Sequence, residues 1–446
     1  MLGALLPEIR VPPPGPASRA MSARLAAVES RDVTYRTDGW PVFWEEARGA
    51  NVRDADGNVY IDLTGAFGVA LLGHGPPEVR AAIDEQTGRL IHGMGDVHPP
   101  VAKLLLLERL AGLAPWKDAR VVLATTGSEA VEAALKTAQL ASGRPGIVAF
   151  EGGYHGLTLG SLAATRRAHF RAPFSERVYA GVAFAPFPDP LRDATPDGAG
   201  ALRRVADLLD EGAPNGDPIG TIVIEPVQAR GGARVPPPGF MAALSDLARE
   251  RDVLIVADEI MTGMGRCGAP FASARVGLDP DLICVGKALG GGLPISACLA
   301  PRRVMDAWPP SEGEAIHTST FLGHPLACAT ATAVLDALGG DDAYSTAERI
   351  GVALVEGLRA RLAGVSRVAE VRGLGLLVGV ELVSPDGSSP ATGLAARVAE
   401  RALAEGVLVL PAGDAGHVVE LTPPLTLTSE QVRHVVDVLS QVIQDA

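Results

Sequence analysis

Lysine is scarce in this sequence. Of the 39 Lys and Arg residues, only four are lysines: Lys103, Lys117, Lys136 and Lys287. A guanidinium group stays charged in proteins whereas an amine can lose its proton, so a lysine kept in such a chain is a candidate nucleophile. Lys103 and Lys136 lie in helical patterns and Lys117 lies in a polar turn, which predicts solvated side chains. Lys287 has no such explanation.

An excess of positive charge is also missing. The 39 Lys and Arg residues face 52 Asp and Glu residues, for a formal net charge of −13. Such a chain offers no basic field to a nucleic-acid backbone or to an anionic membrane surface. We therefore expect small-molecule substrates, with no nucleic acid and no membrane as a partner.

Long apolar runs and patterned cysteines are absent as well. The sequence has no run of about 20 apolar residues that could span a bilayer, and prolines at positions 12–14 interrupt any export signal. The four cysteines lack metal-ligand spacing and are predicted to be buried thiols. These absences predict a cytoplasmic protein without a metal site.

Short apolar segments alternate with helical patterns through the middle of the chain, which is typical of a parallel α/β sheet. We predict a large domain with a mostly parallel sheet over residues 66–335. Residues 1–65 are expected to form an N-terminal arm and part of a smaller α+β domain, which residues 336–446 complete. A hairpin of residues 41–46 and 58–63 is expected around Asp56-Gly57. The predicted strands of the large domain are residues 120–124, 146–150, 220–224, 253–257 and 282–285.

The first candidate site follows the strand at residues 120–124. There the chain turns through Thr126, Gly127 and Ser128 into a helix. The N–H groups and the positive dipole end of a helix start suit a phosphate. On these residues alone, an ordinary capped helix remains the alternative.

The second candidate is Asp258, which an apolar strand delivers at its carboxyl end. A carboxylate in that position needs a cationic or hydrogen-bonding partner, because an unpaired buried charge is costly. A protonated pyridine nitrogen would be such a partner. A helix cap or a structural ion pair is the alternative.

The third candidate is Lys287, which follows the strand at residues 282–285 and precedes three glycines at 290–292. A crowded, water-poor loop favours a nucleophilic amine, and the glycines let the backbone pass close to a bound ring. The loop is not a Walker A motif, because Asp281 and Ala288 break the required pattern. A GxGxxG match at residues 263–268 is not a dinucleotide site, because Pro270 interrupts the helix that should follow. A structural lysine is the remaining alternative.

In this order, the three segments resemble the class III aminotransferases of fold type I. The resemblance extends from about Phe43 to the C-terminus. It implies an α/β fold, pyridoxal 5′-phosphate (PLP) as the cofactor, and ping-pong transfer of an amino group from an amine or amino acid to a 2-oxo acid. Further matching segments are Gly73-His74, Gly153-Tyr154-His155-Gly156, Glu225-Pro226-Val227-Gln228, Asp258-Glu259-Ile260, Ser319-Thr320-Phe321 and Arg372-Gly373-Leu374-Gly375.

The resemblance implies a role for each matching residue. Lys287 would hold PLP as a Schiff base and move the substrate proton, and Asp258 would keep the pyridine nitrogen protonated. Arg372 would bind the substrate carboxylate, with an ion pair as the alternative. The active unit would be a homodimer with a shared active site, and its pairing into a tetramer stays open. The other implied cofactor-binding residues are Gly127, Ser128, Tyr154, His155, Glu225, Gln228, Ile260 and, from the neighbouring subunit, Thr320; Phe67, Leu157 and Arg230 would line the substrate pocket.

Four positions depart from the family pattern. Met261 stands where the family often has Gln, which leaves Gln228 as a candidate for the lost hydrogen bond. Leu157 replaces an Arg of the 4-aminobutyrate and acetylornithine branches, and Arg230 replaces a Glu of the 4-aminobutyrate branch. His324 replaces the usual Asn before a proline.

These changes preserve the implied fold and cofactor but not the familiar substrates. We expect 4-aminobutyrate and N-acetylornithine to be poor donors, and donors with an apolar or uncharged far end to be better ones. An amino-acid racemase or epimerase, or an aminomutase, is the alternative function on the same scaffold. Those reactions differ from transamination in where the proton returns.

Overall fold

The computed structural model describes residues 2–340 and 342–446; Met1 and Asp341 lie outside the described residues. The strands are β1 Trp44–Arg48, β2 Asn51–Asp54, β3 Val59–Asp62, β4 Ala119–Ala124, β5 Gly146–Phe150, β6 Val182–Ala185, β7 Ile219–Ile224, β8 Leu254–Asp258, β9 Leu282–Val285, β10 Ser296–Pro301, β11 Val368–Leu374, β12 Leu377–Leu382, β13 Val407–Leu408, β14 Leu410–Ala412 and β15 Val418–Leu421. The helices are α1 Pro16–Val28, α2 Gly65–Gly68, α3 Pro77–Thr87, α4 Val101–Leu113, α5 Gly127–Ser142, α6 Leu159–Ala164, α7 Ala168–Arg171, α8 Ala199–Glu211, α9 Phe240–Glu250, α10 Ala272–Val276, α11 Arg302–Met305, α12 Pro325–Leu338, α13 Asp342–Leu362, α14 Leu394–Ala404 and α15 Ser429–Gln444. Two 3₁₀ turns cover Ala172–Phe174 and Lys287–Gly290.

The chain forms two compact units. The first unit comprises the residues up to Pro76 together with Thr346–Ala446, and the second comprises Pro77–Ser345. None of the helices in the described ranges is long and apolar enough to cross a lipid bilayer.

A seven-stranded sheet organises the second unit, in the order β4-β10-β9-β8-β7-β5-β6. From β9 to β6 all neighbouring strands run parallel. The strand β10 runs antiparallel to both of its neighbours. This topology confirms the predicted α/β fold with a mostly parallel sheet.

The central strands of this sheet are buried on both faces. Every residue of β7, β9 and β10 is buried, as expected for strands covered by helices on either side. Small side chains bring helix α5 close to one face, because its buried positions include Ala130, Ala134 and Ala138. Close packing of this kind fixes the position of the first turn of α5.

Helix α5 has strong start and stop signals. The Thr126 side chain accepts a hydrogen bond from Glu129 N, and Glu129 Oε2 accepts bonds from Thr125 N at 2.7 Å and Thr126 N at 3.2 Å. This capping box satisfies N–H groups that a helix start leaves without partners. The helix ends at Gly143, whose φ of 67° is left-handed.

The first unit contains two four-stranded sheets, β1-β2-β3-β13 and β11-β12-β15-β14. The hairpin predicted around Asp56-Gly57 is formed, but the strand before the turn is Asn51–Asp54 and not residues 41–46. The physical reason is burial, because Asn51, Val52 and Asp54 are fully buried beside β3.

Candidate active site

The carboxyl ends of four parallel strands meet around one pocket in the second unit. Strand β5 leads to Tyr154 and His155, β7 leads to Glu225, β8 ends at Asp258, and β9 leads to Lys287. This is the edge at which open α/β sheets bind ligands. The pocket encloses about 210 Å³ and is lined by Gly127, Ser128, Tyr154, His155, Gly156, Glu225, Ala229, Arg230, Asp258, Ile260, Met261 and Lys287.

The first turn of α5 forms one end of this pocket. A Cβ on Gly127 would lie 2.9 Å from Ile260 Cγ2, so only glycine lets the backbone approach this wall. Ser128 Oγ accepts a hydrogen bond from Leu157 N at 3.2 Å. Amides in a first helical turn have no partners within the helix, which makes this end suitable for a phosphate.

Lys287 begins the 3₁₀ turn that follows β9. Its φ of 42° lies in the left-handed region, which is uncommon for residues other than glycine. A Cβ on the preceding Gly286 would lie 3.1 Å from Ile260 Cδ1 and 3.3 Å from Ser296 Cβ. Sparsely populated backbone conformations cluster at active sites, and the half-buried Lys287 fits that pattern.

Asp258 is 4% exposed and is held from two directions. Its Oδ2 lies 2.7 Å from His155 Nδ1, and its Oδ1 accepts a hydrogen bond from Ile260 N at 3.1 Å. Burial lowers the pKa of His155, but the hydrogen bond and the charge of Asp258 outweigh burial, so the net shift of this pKa is upward. The site therefore keeps a carboxylate and a proton-holding imidazole together in a water-poor place.

Glu225 is a second buried acid beside this pair. Its Oε1 accepts a hydrogen bond from Tyr154 N at 3.0 Å, and its Oε2 accepts one from Ala229 N at 3.1 Å. Burial raises the pKa of Glu225 to about 7, the Asp258 charge adds to the rise, and His155 opposes it. Glu225 thus keeps its proton to a higher pH than an ordinary glutamate does.

Tyr154 and Arg230 form the aromatic and cationic part of the lining. The Tyr154 ring packs edge to face on Phe170, with centroids 5.8 Å apart. Burial raises the pKa of the Tyr154 hydroxyl, and the Arg230 charge acts in the opposite direction. The charge of Arg230 therefore acts within this pocket.

Three residues predicted for the site lie in the same unit but outside the lining of the pocket. Gln228 is buried, and its Nε2 donates to Glu151 O at 2.8 Å. Leu157 follows the lining residue Gly156 and is 46% exposed. Thr320 is exposed in the connection before α12.

Two further predicted residues belong to the first unit. Phe67 is 63% exposed, and it and Ala66 have φ values of 59° and 49°. Arg372 is buried on β11, where its Nη1 donates to Glu370 Oε2 at 2.8 Å and to Glu381 Oε2 at 2.5 Å. The guanidinium of Arg372 is thus engaged by carboxylates of the protein.

The residues that line the pocket fit PLP. The helix start at Gly127 and Ser128 suits a phosphate, and the buried carboxylate of Asp258 suits a protonated ring nitrogen. The Nε2 atom of His155 is buried and has no hydrogen-bond partner among the described residues, so the pocket still holds a polar atom to satisfy. Lys287 supplies an amine, and Gly127 lets the start of α5 lie close to Ile260 on the pocket wall.

Sequence reasoning missed one contributor. The backbone N–H of Ala229 holds the Glu225 carboxylate, and Ala229 itself lines the pocket. An alanine carries no chemistry in its side chain, so no signal in the sequence could have indicated this contact. Met261 and Gly156, noted above only as a departure and as part of a motif, also line the pocket.

Comparison with known proteins identifies the family. The family described as "Aminotransferase class-III" matches residues 34–443. The acetylornithine aminotransferase of Methanothermobacter thermautotrophicus is 36% identical over 95% of this chain and 99% of its own length. The 4-aminobutyrate aminotransferase of Mycobacterium tuberculosis is 36% identical over 97% of both chains.

Solved structures agree with this assignment. An amine transaminase from an uncultivated Pseudomonas species, in its PLP-bound form, is 30% identical, with a TM-score of 0.84 over 93% of this chain and 98% of its own. The ornithine aminotransferase of Toxoplasma gondii is 28% identical, with a TM-score of 0.82 over 96% and 94% of the two chains. Taken with the pocket that joins a helix N-terminus, a buried aspartate and a lysine, these likenesses show that the chain is a PLP-dependent enzyme and belongs to the class III aminotransferases.

Proposed function

We propose that the pocket around Lys287 moves an amino group from an amine or amino acid to a 2-oxo acid, with Lys287 as the residue bonded to the cofactor. The position of the lysines carries this proposal. Lys287 lines the pocket, whereas Lys103, Lys117 and Lys136 are not among the residues that line it.

Asp258, His155 and Lys287 together determine where protons reside during the reaction. When bound in the pocket, PLP supplies an electron-poor ring and carries the amino group between the two half-reactions. Asp258 keeps the ring nitrogen protonated, because a carboxylate in a water-poor site favours a cation beside it. His155 orients Asp258 through their 2.7 Å contact. With the cofactor bound, Lys287 would take and return the proton of the substrate Cα.

The other cofactor-binding roles follow from the lining. The amides of Gly127 and Ser128 hold the phosphate, while Tyr154 and Ile260 line the walls that contact the ring. Glu225, which itself lines the pocket, binds the Tyr154 and Ala229 amides. Gln228 lies behind the lining and binds the Glu151 carbonyl.

The substrate preference depends on Leu157 and Arg230. Leu157 cannot bind a distal carboxylate, and burying one against it would remove hydration without compensation. We therefore propose donors with an apolar or uncharged far end, although the relatives named above act on acetylornithine and 4-aminobutyrate. Arg230 lines the pocket and is proposed to bind the carboxylate of the acceptor. Phe67 and Arg372 remain predicted substrate contacts.

We also propose that the enzyme is a homodimer with a shared active site. Large apolar side chains are exposed in two neighbouring stretches of the second unit, more than isolated surface residues explain. Association of two chains would cover them. They are Leu90, Ile91, Met94, Val97, Val101, Leu104, Leu105, Ile316 and Phe321. All four cysteines are buried thiols, which supports the proposed cytoplasmic location.

Borohydride reduction of the holoenzyme tests the assignment of Lys287. We expect peptide mapping to place the pyridoxyl group on Lys287 alone, because it is the lysine that lines the pocket. A label on Lys103 or Lys136 would overturn the assignment.

A panel of amines and amino acids, mixed with the PLP form without an acceptor, tests the reaction. A stoichiometric oxo product together with loss of the visible cofactor band is the expected result. Racemisation without net conversion would instead support the racemase alternative, which none of the relatives named above favours.

A further inference from the structure

The Thr320 segment, residues 316–324, packs against a second loop of the same unit, the His92 loop, residues 92–98. A direct hydrogen bond between side chains joins the two loops. Thr318 Oγ1 donates to Asp96 Oδ2 at 2.8 Å. This contact lies two residues before Thr320 and fixes the backbone that carries it.

A close backbone approach joins the same loops on the other side of Thr320. A Cβ on Gly95 would collide with the carbonyl oxygen of Leu322. A side chain at position 95 would therefore push the Thr320 segment away. Because the obstacle is backbone and not a flexible side chain, rotation of a side chain cannot relieve the collision.

Lys103 clamps both loops at this point. Its Nζ donates to Gly95 O at 2.6 Å, and its Cδ lies 2.6 Å from the position of a Cβ on Gly323. Gly323 has a φ of 71°, so this position favours glycine on two counts. The ammonium group thus holds the His92 loop while the aliphatic stem packs on the Thr320 segment.

Three rings complete the contact. His92 packs on Phe321 with centroids 5.4 Å apart and on His324 at 5.8 Å, and Phe321 and His324 are 6.1 Å apart. Phe321 is nevertheless 58% exposed. The rings therefore brace the residue that directly follows Thr320 without burying it.

The other end of the Thr320 segment is anchored to α5. His317 Nδ1 lies 3.1 Å from Lys136 Nζ, and the His317 ring lies beside Trp308. Thr320 is therefore an exposed residue between two anchors, with His317 and Thr318 before it and Leu322 after it.

We propose that the His92 loop is a positioning element, which holds Thr320 of one chain ready to bind the cofactor phosphate of the partner chain. This inference rests on the shared active site of the proposed function. A donor that must reach across an interface binds more tightly if it is ordered beforehand, because ordering then costs less at binding. Exposed Met94 and Val97 place apolar surface on the same loop, as an element at an interface requires.

Cofactor retention measures this role apart from activity. The holoenzyme is diluted into a trap for free PLP, and the rate of PLP loss is followed by absorbance, with dimer content checked by sedimentation. Thr320→Ala sets the reference and is expected to lose PLP about fivefold faster, the effect of one net hydrogen bond. Asp96→Ala and Thr318→Val are expected to lose PLP about two to five times faster than wild type. Thr318→Ser, which keeps the hydroxyl, should lose PLP at nearly the wild-type rate.

Gly95→Ala should match Thr320→Ala, because the added methyl displaces the whole segment. Its matched control is Gly88→Ala, where the nearest atom to the new Cβ is Glu85 O at an ordinary 3.5 Å. Since both changes would act on the same contact, Gly95→Ala in the Thr320→Ala background should add nothing further.

A mixed dimer tests whether the effect crosses the interface. A chain carrying Asp96→Ala is paired with a chain carrying Lys287→Ala, so that only the first chain can be labelled by borohydride. The cofactor site of the first chain receives Thr320 from the second chain, whose Asp96 is intact. The rate of PLP loss from this site should therefore return to the wild-type value. Retention that stays impaired would show that Asp96 acts on the cofactor site of its own chain and not on that of the partner, and would overturn the proposal.

Failure of the inference and failure of the shared site give different results. If Thr320→Ala speeds PLP loss but Asp96→Ala, Thr318→Val and Gly95→Ala do not, the His92 loop has no positioning role and the shared site stands. If Thr320→Ala itself leaves PLP retention unchanged, the shared site is wrong, and the inference fails with it.

Discussion

Two clusters of buried charge occupy the two units, and they solve the same physical problem differently. In the second unit, Asp258 is held by His155 and lines a pocket. In the first unit, Arg372 binds Glu370 and Glu381 within its own sheet. Both clusters bear the cost of removing charge from water. The Arg372 cluster offsets this cost with protein carboxylates, whereas the Asp258 cluster keeps its carboxylate at the wall of a space for a ligand.

The strand pairing explains the difference. Arg372 faces Gly379 across β11 and β12, and Glu370 faces Glu381. Because Gly379 has no side chain, nothing at the directly paired position obstructs the path of the guanidinium to the diagonal Glu381. Asp258, by contrast, is the last residue of β8, where the sheet ends. The charge of Arg372 lies within a strand and is paired with carboxylates of the same sheet, while the charge of Asp258 lies at a strand end and faces the ligand edge.

Replacement of Asp258 by Asn is expected to have the largest effect. The amide keeps the size of the side chain but cannot hold the ring nitrogen protonated, so turnover should fall on the order of a thousandfold while PLP stays bound. Turnover and the PLP content of the purified protein are the measurements. The control is Glu259→Gln, an adjacent buried acid that holds Ala272 N and Ser273 N and should affect thermal stability more than turnover. Near-wild-type turnover in Asp258→Asn would remove the proposed role.

Replacement of Arg372 by Met tests the other cluster. It removes the guanidinium that binds the buried carboxylate of Glu381, so the free energy of unfolding should fall by about 3–5 kcal/mol. Arg361→Met, which breaks the exposed pair with Asp437, should cost less than about 1 kcal/mol. Chemical denaturation gives both values. Unchanged stability would contradict this expectation. A raised KM for carboxylate substrates would support the substrate role predicted from the sequence.

The positions of Asp258 and Lys287 could be predicted from the sequence, but the surroundings of Arg372 could not. The apolar runs before Asp258 and Lys287 end where the strands end, so pattern alone placed both residues at the ligand edge of the sheet. The surroundings of Arg372 could not be predicted, because Glu381 comes from another strand and only the register brings the two together. The left-handed Phe67 also has no signal, since it is not a glycine.

For the fold as well, the sequence predicted features that depend on local pattern and missed features that depend on long-range strand pairing. The parallel strands β5, β7, β8 and β9 are apolar segments between helices and were predicted from the sequence, whereas β6, which pairs in parallel with β5, was not predicted. The strand β10 was not predicted, because its place between β9 and β4 depends on antiparallel pairing across the glycine-rich loop and not on local pattern.

The buried acid Glu225 makes the stability of the second unit depend on pH. Burial raises its pKa from an ordinary 4.5 to about 7, so the folded state holds this proton more strongly than the unfolded state does. Its contribution to stability is fully present below pH 4.5 and is lost as the pH rises through 7, a change on the order of 3 kcal/mol. Glu225→Gln cannot titrate, so the stability difference between wild type and variant should shift against wild type from pH 5 to pH 8. Thermal unfolding of the PLP-free proteins measures the difference, with the exposed Glu108→Gln as the control. A difference that is constant with pH would contradict the raised pKa.

The smallest expected effect concerns the cation of the pocket and contrasts Arg230 with Arg372. Arg372 is engaged by carboxylates of its sheet, whereas Arg230 lines the pocket near Tyr154. Leu157, beside the pocket, offers no partner to a distal carboxylate, so wild type should favour a neutral or apolar amine over 4-aminobutyrate by about tenfold in kcat/KM, the value of one charge-assisted hydrogen bond. Leu157→Arg should reverse the preference, while Leu157→Met, which adds no charge, should leave it unchanged.

Arg230→Ala should raise the KM for the 2-oxo acid more than the KM for an uncharged amine, because only the acid has a carboxylate that Arg230 could bind. If wild type already prefers 4-aminobutyrate and Arg230→Ala abolishes that preference, Arg230 binds the distal carboxylate of the donor and the inference from Leu157 is wrong.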